Sequence, residues 1–197
     1  TGITVSSDNI LNVPCGKLIC KYYTNNNGTG DPVSGVSVYV KLTGGGDVAS
    51  AGGVSGSTSF ALLATYEGAT YDVISVKRAF SRTETGITVS SDNILNVPCG
   101  KLIVTYYANN NPAWGMSGVS VYVKLTGGGD VASAGGVSGS TSFALLATTD
   151  TGKTYDVISV KGGSSRKETG VTVASTQTLD VPVVRFRVMV VKADFTA

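Results

Sequence analysis

The chain of 197 residues contains no histidine. Acid–base catalysis and the activation of a serine or cysteine nucleophile lose their usual base, and a common ligand of structural zinc is missing. Charge is scarce as well: Asp, Glu, Lys and Arg make up 14% of the residues, against roughly 25% in an average soluble domain. The net charge of +2 is spread without a run of one sign, so nothing marks a footprint for nucleic acid or an anionic membrane. No apolar stretch approaches the roughly 18 residues of a membrane helix. The glutamates, Glu67, Glu84 and Glu168, form no carboxylate pair of the glycosidase kind. The glycine-rich run GGGDVASAGG lacks the Lys-Ser/Thr of a phosphate loop. Asp47 and Asp130 each stand alone among glycines, far from the roughly six to eight oxygens that calcium takes. No catalytic, cofactor or metal set is expected, and the chain reads as something other than an enzyme.

What is present is repetition. Residues 1–19 recur unchanged at 85–103, Ser34–Thr65 equals Ser117–Thr148, and Thr70–Lys77 equals Thr154–Lys161. A third, partial copy opens at Thr169. A fixed internal period is the mark of a stacked or modular architecture. The expected organisation is an N-terminal strand (1–14), two repeats (15–98 and 99–182) and a C-terminal strand (183–197).

Within each repeat the apolar residues alternate. Leu18, Cys20 and Tyr22 share one face of the first run, and Leu102, Val104 and Tyr106 share it in the second copy; Val36, Val38, Val40 and Leu42 line the next. Period two with β-branched richness indicates strands. Further strands are expected at Thr58–Ala64, Tyr71–Lys77 and Ile87–Val97, with one short strand in the Gly-rich connection TGGGDVASAGGVSGS. The expected fold is all-β: two tandem antiparallel β-sandwiches, with a terminal strand available for exchange.

The order of segments, LIVTYY, SGVSVYV, a Gly-rich turn, GSTSFALLAT, TYDVISVK and a closing Thr/Val strand, resembles the prealbumin-like or immunoglobulin-like modules called carboxypeptidase-regulatory-like and Cna B-type domains. These are common in prokaryotic surface proteins. The resemblance implies, for some members, an isopeptide bond between first and last strands. Lys17 and Lys101 stand on the first strands and Asn12 and Asn96 on the last. The buried acid that such a bond requires is not evident here, so the bond is not expected.

The copies differ at three connections: 24–33 against 108–116, 66–69 against 149–153, and 78–83 against 162–167. If the strands run simply up and down, the first two loops share one end of the sandwich and the third lies at the other. Loops drift more freely than strands, but repeats stacked end to end would also meet different neighbours there. Trp114 and Tyr66 are expected on exposed loops, where aromatics serve as interface contacts.

Residues 169–197 correspond to residues 1–29, so each molecule carries this segment once more than two repeats require. Val184, Phe186, Val188 and Val190 alternate along the last strand, and Ile3, Val5, Leu11 and Val13 along the first. An apolar strand left unpaired is an aggregation hazard. Donation of one of them to a neighbouring molecule removes that hazard, and a head-to-tail contact that does not close generates a fibre. The alternative is that 183–197 folds back on its own second repeat. In design the chain resembles strand-donating subunits of prokaryotic surface filaments, such as archaeal threads and chaperone-assembled pili. That implies an extracellular fibre subunit whose partner is itself; a surface adhesin or carbohydrate-binding protein displaying two modules is the second expectation.

The cysteines are Cys15, Cys20 and Cys99. Cys15 and Cys20 lie about 16 Å apart on an extended run. Cys15 and Cys99 are equivalent positions, separated by about a domain length and well past the ~7 Å limit for a bridge. A disulfide therefore joins Cys20 to Cys99 or links two molecules, unless Cys20 is a small buried hydrophobe. The start of the chain without methionine or an apolar leader reads as a mature secreted protein, and Asn27-Gly28-Thr29 is its N-glycosylation sequon.

Overall fold

The computed structural model describes residues 13–183, apart from 26, 66–67, 108–110 and 112–113. Each repeat forms seven strands in two sheets. In the first these are β1 (Cys15–Lys21), β2 (Ser34–Leu42), β3 (Asp47–Ser55), β4 (Ser57–Leu63), β5 (Tyr71–Lys77), β6 (Phe80–Ile87) and β7 (Asp92–Asn96). In the second they are β8 (Cys99–Thr105), β9 (Val119–Leu125), β10 (Asp130–Val137), β11 (Ser140–Leu146), β12 (Tyr155–Lys161), β13 (Ser164–Val171) and β14 (Thr176–Asp180). A three-stranded sheet ordered β4-β1-β7 faces a four-stranded sheet ordered β3-β2-β5-β6, and the second repeat reproduces both as β11-β8-β14 and β10-β9-β12-β13.

The alternation read from the sequence fills the space between the sheets. Leu18, Cys20 and Tyr22 are buried opposite Val36, Val38, Val40 and Val73, and their counterparts Leu102, Val104 and Tyr106 opposite Val119, Val121, Val123 and Val157. Tyr22 spans the sandwich to hydrogen-bond the Ser75 hydroxyl at 3.0 Å, and Tyr106 reaches Ser159 at 2.7 Å. A buried phenol needs such a partner. Burial raises the pKa of both hydroxyls.

Several expectations change. The Gly-rich connection is a nine-residue strand, β3, rather than a short one. It is an edge strand with mostly exposed side chains, so glycine and serine conceal it while β2 supplies its hydrogen bonds. As a full-length strand it reverses the direction count. Loops 24–33 and 78–83 therefore lie at one end of the sandwich, and loop 66–69 at the other, not the first two together. The segment 78–83 is a turn at Arg78-Ala79 followed by β6, and the supposed closing strand 87–97 is the end of β6 plus β7. Glu84 lies on β6. The sheets are antiparallel with one exception per repeat: β7 runs parallel to β1, and β14 to β8. Leu42, at the strand end, is 41% exposed instead of buried.

The parallel pairing demands glycine at one position. A Cβ on Gly16 would stand 2.5 Å from Val89 Cγ1 and 2.7 Å from Ser91 O; on Gly100 it would stand 2.4 Å from Ser175 O. The chain entering β7 or β14 crosses directly over that residue. The corresponding residue of the third copy is Val184.

Candidate interface between the repeats

The turn after β5 and the start of β6 in the first repeat meet the opposite end of the second. Phe80, fully buried, stands edge to face with Tyr155, ring centroids 5.7 Å apart. Lys153 Nζ lies 5.8 Å from the centre of the Phe80 ring. Arg82 is only 8% exposed, and its guanidinium is committed on two sides. Nε donates to Glu84 Oε1 at 2.5 Å, while Nη1 donates to the carbonyls of Thr149 at 2.8 Å and Ala147 at 3.2 Å. Two carbonyls at the end of β11 thereby obtain a donor from the other repeat, and the charge is balanced by Glu84. Lys101 Nζ pairs with Asp31 at 2.7 Å between β8 and loop 24–33. Ala79 lies near Gly129 in the turn after β9, where a Cβ on the glycine would stand 3.2 Å from the Ala79 methyl.

Burial shows what this junction covers, because the two repeats have the same sequence at these positions. Val131 is 2% and Leu146 0% exposed, whereas their counterparts Val48 and Leu63 are 51% and 59% exposed. Cys99 is buried and its counterpart Cys15 exposed. Burial pushes the Cys99 thiol up to about 12, against the opposing pull of the Arg82 and Lys77 charges. Burial also raises the Tyr155 phenol, which donates to Leu146 O at 2.7 Å.

The far end of the second repeat is built differently. Ser164 replaces Phe80 and stands on the wall of a cavity of about 150 Å³ with Tyr106, Met116, Arg166 and Val183. Arg166, the counterpart of Arg82, makes the same Nε contact to Glu168 at 2.5 Å but is 52% exposed. Trp114, at the position of Asp31, is 44% exposed.

Of the residues singled out from the sequence, Val184, Phe186, Val188, Val190, Ile3, Val5, Leu11, Asn12 and Tyr66 lie outside the described residues. Val13 is 53% exposed. Within the chain Cys15, Cys20 and Cys99 stand as free thiols with no bridge between them; Cys20 sits in the core, where burial pushes it up to about 12. Lys17 pairs in register with Asp92, and Asn96 with Lys21, so Lys17 and Asn96 are four positions, about 13 Å, apart. Lys101 is engaged with Asp31. Asn27 is exposed and accepts hydrogen bonds from Thr29. Among the described residues no cluster of ligating side chains could hold a metal ion, and no helix is long and apolar enough to cross a membrane.

Phe80, Arg82 and Tyr155 were not picked out from the sequence as an interface. The available signal was the change RAFSRT to GGSSRK, which removes the aromatic from the second repeat.

No family model matches the chain, and no curated protein does. Among solved structures, the chain is similar to the Bacillus anthracis TIE protein at 11% identity and a TM-score of 0.33, covering 85% of this chain and 34% of that one. It thus spans about a third of that protein's length. It is also similar to a minor pilin of Streptococcus agalactiae at 13% identity and a TM-score of 0.32, covering 89% of this chain and 99% of that one.

Proposed function

We propose that this chain is an extracellular structural subunit of a surface filament or pilus-like fibre, assembling head to tail with copies of itself. The observation that carries the reading is the junction. Two nearly identical sandwiches are joined end to end through a buried aromatic pair, a balanced arginine and two backbone carbonyls. A module whose two ends fit each other is suited to linear stacking.

Strand donation between subunits is part of this reading, with residues 183–197 as the preferred donor and residues 1–14 as the alternative. Each described repeat already has its seven strands, so a donated strand would extend an open edge, β4 or β7 in the smaller sheet, rather than fill a gap. Val184 supports the donor assignment, since a third repeat of the same build requires glycine there.

The test is deletion of 183–197 and of 1–14 in separate proteins, followed by size-exclusion chromatography and negative-stain imaging. Loss of fibres in either deletion upholds strand donation, and normal fibres in both overturn it. A wild-type protein that stays monomeric overturns the fibre reading itself.

A further inference from the structure

The end of the first repeat that faces away from the junction exposes side chains that the second repeat buries. Val48, Leu63 and Cys15 are open to solvent, and Val131, Leu146 and Cys99, the same residues one repeat later, are covered. The strands that carry them also match: β3 and β10 start at Asp47 and Asp130, and β4 and β11 end at Leu63 and Leu146. The exposed apolar set is therefore the uncovered form of a surface that is covered one repeat later in the same molecule.

We propose that this face, Val48, Leu63 and Cys15, docks onto the far end of the second repeat of another copy, reproducing the internal junction. The partner end is prepared for it. Arg166 is already held through Nε by Glu168, as Arg82 is by Glu84, and its exposed Nη groups are left for acceptors from the incoming molecule. The carbonyl of Ala64 is the counterpart of the Ala147 carbonyl that Arg82 binds. The cavity beside Ser164, about 150 Å³ and walled by Tyr106, Met116 and Val183, has room for one apolar side chain of the incoming face. Trp114 takes the place of Asp31, so Lys17 of the incoming copy meets an aromatic ring where Lys101 meets a carboxylate. The contact between copies is thus the internal junction with its ion pair exchanged for a cation–π contact and its Phe80 ring exchanged for a side chain of the partner.

The inference rests on the self-assembly reading for the identity of the partner, but it does not need strand donation. Its test uses the full chain. Sedimentation velocity over a concentration series is compared for wild type, Val48→Asp, Leu63→Asp, Arg166→Ala and a control, Tyr39→Ser, which alters an exposed residue on the β2 sheet face. Folding of each variant is checked by near-UV circular dichroism. In parallel, a small thiol reagent is applied to wild type at low and high concentration, and Cys15 labelling is read by mass spectrometry. Burying one Val or Leu is worth roughly 1.5–3 kcal/mol, so each Asp variant should weaken association roughly tenfold to a hundredfold. Arg166→Ala should weaken it too, and Tyr39→Ser should leave it unchanged. Cys15 should label readily in the monomer and become protected on assembly. Association unchanged in both Asp variants, or Cys15 labelled equally in assembled wild type, overturns the docking face while the fibre reading stands. A wild type that never associates overturns both.

Discussion

Phe80 of the first repeat and Tyr155 of the second meet with their ring planes at 80°, an edge-to-face contact that joins two copies of one sequence. Tyr155 has an equivalent in the first repeat, Tyr71, but Phe80 has none in the second, where the residue is Ser164. One side of the junction is therefore common to both repeats, and the other is particular to the first. Edge-to-face pairs add about 0.5–1.5 kcal/mol beyond the area they bury, and here the contact couples the two repeats together with the Arg82–carbonyl bonds and the Lys101–Asp31 pair.

Phe80→Ser, which copies the second repeat's residue into the first, should destabilise the junction by about 3–5 kcal/mol, the range for removing a buried phenylalanine. Differential scanning calorimetry should show a lowered transition that separates into two. A thermogram identical to wild type would remove the junction from the stability of the protein.

Arg82 and Arg166 give a matched pair. Arg82→Lys should cost about 1–3 kcal/mol, because an ammonium cannot hold Glu84 and two carbonyls in one planar fork. Arg166→Lys at a dilution that keeps the protein monomeric should stay within about 0.5 kcal/mol, as expected of an exposed side chain. Urea melts of the two variants compare them directly. Equal effects would mean that the carbonyl contacts contribute nothing.

Gly100→Ala should be more damaging than its size suggests. The added methyl group would lie 2.4 Å from the Ser175 carbonyl and 2.5 Å from Val173, forcing apart the strands where β14 begins. A loss of more than about 1–3 kcal/mol is expected for overpacking of this kind, read by chemical denaturation. Tolerance of alanine would show that the crossing chain can move away, and would weaken the significance of Val184.

Asp156 is nearly buried and bonded to Lys167 at 2.8 Å and to the Thr126 hydroxyl at 2.7 Å. These contacts, Lys167 first, hold its carboxyl below the usual aspartate range despite the opposing effect of burial. A depressed folded-state pKa means that the unfolded chain takes up the proton first. The contribution is therefore complete above the ordinary carboxylate range and is lost as pH falls through the lowered value. Because Lys167 is 53% exposed, its magnitude is that of a solvent-screened pair. The stability gap between wild type and Asp156→Asn should be open at neutral pH and close in acid. A gap of constant size from neutral to strongly acidic solution would contradict the assignment.

Thiol chemistry provides a further check. Cys20 and Cys99 are buried and pushed up to about 12, so a reagent applied to the native monomer should modify Cys15 alone. Peptide mapping after non-reducing electrophoresis should find no Cys20–Cys99 bridge. Such a bridge in native material would require the two buried residues to be rearranged.

The repeats, the all-β class and the inward residues of β1 and of β2 as far as Val40 were determined by the sequence alone. Period-two alternation and internal identity are local properties, and in the middle of a strand they decide which side chains face the opposite sheet. β3, expected only as a short strand, hid its full length because an edge strand of glycine and serine is held by hydrogen bonds from β2, not by its own apolar pattern. Leaving that strand out of the up-and-down count misplaced the loops, and with them the meeting of 78–83 with 147–153. The parallel pairing of β7 was likewise beyond reach, since alternation says which face a residue takes but not which neighbour its backbone chooses. Most of all, identical residues such as Leu63 and Leu146 have opposite exposures. No reading of the residues themselves can separate them, because the difference lies entirely in whether another repeat is packed against them.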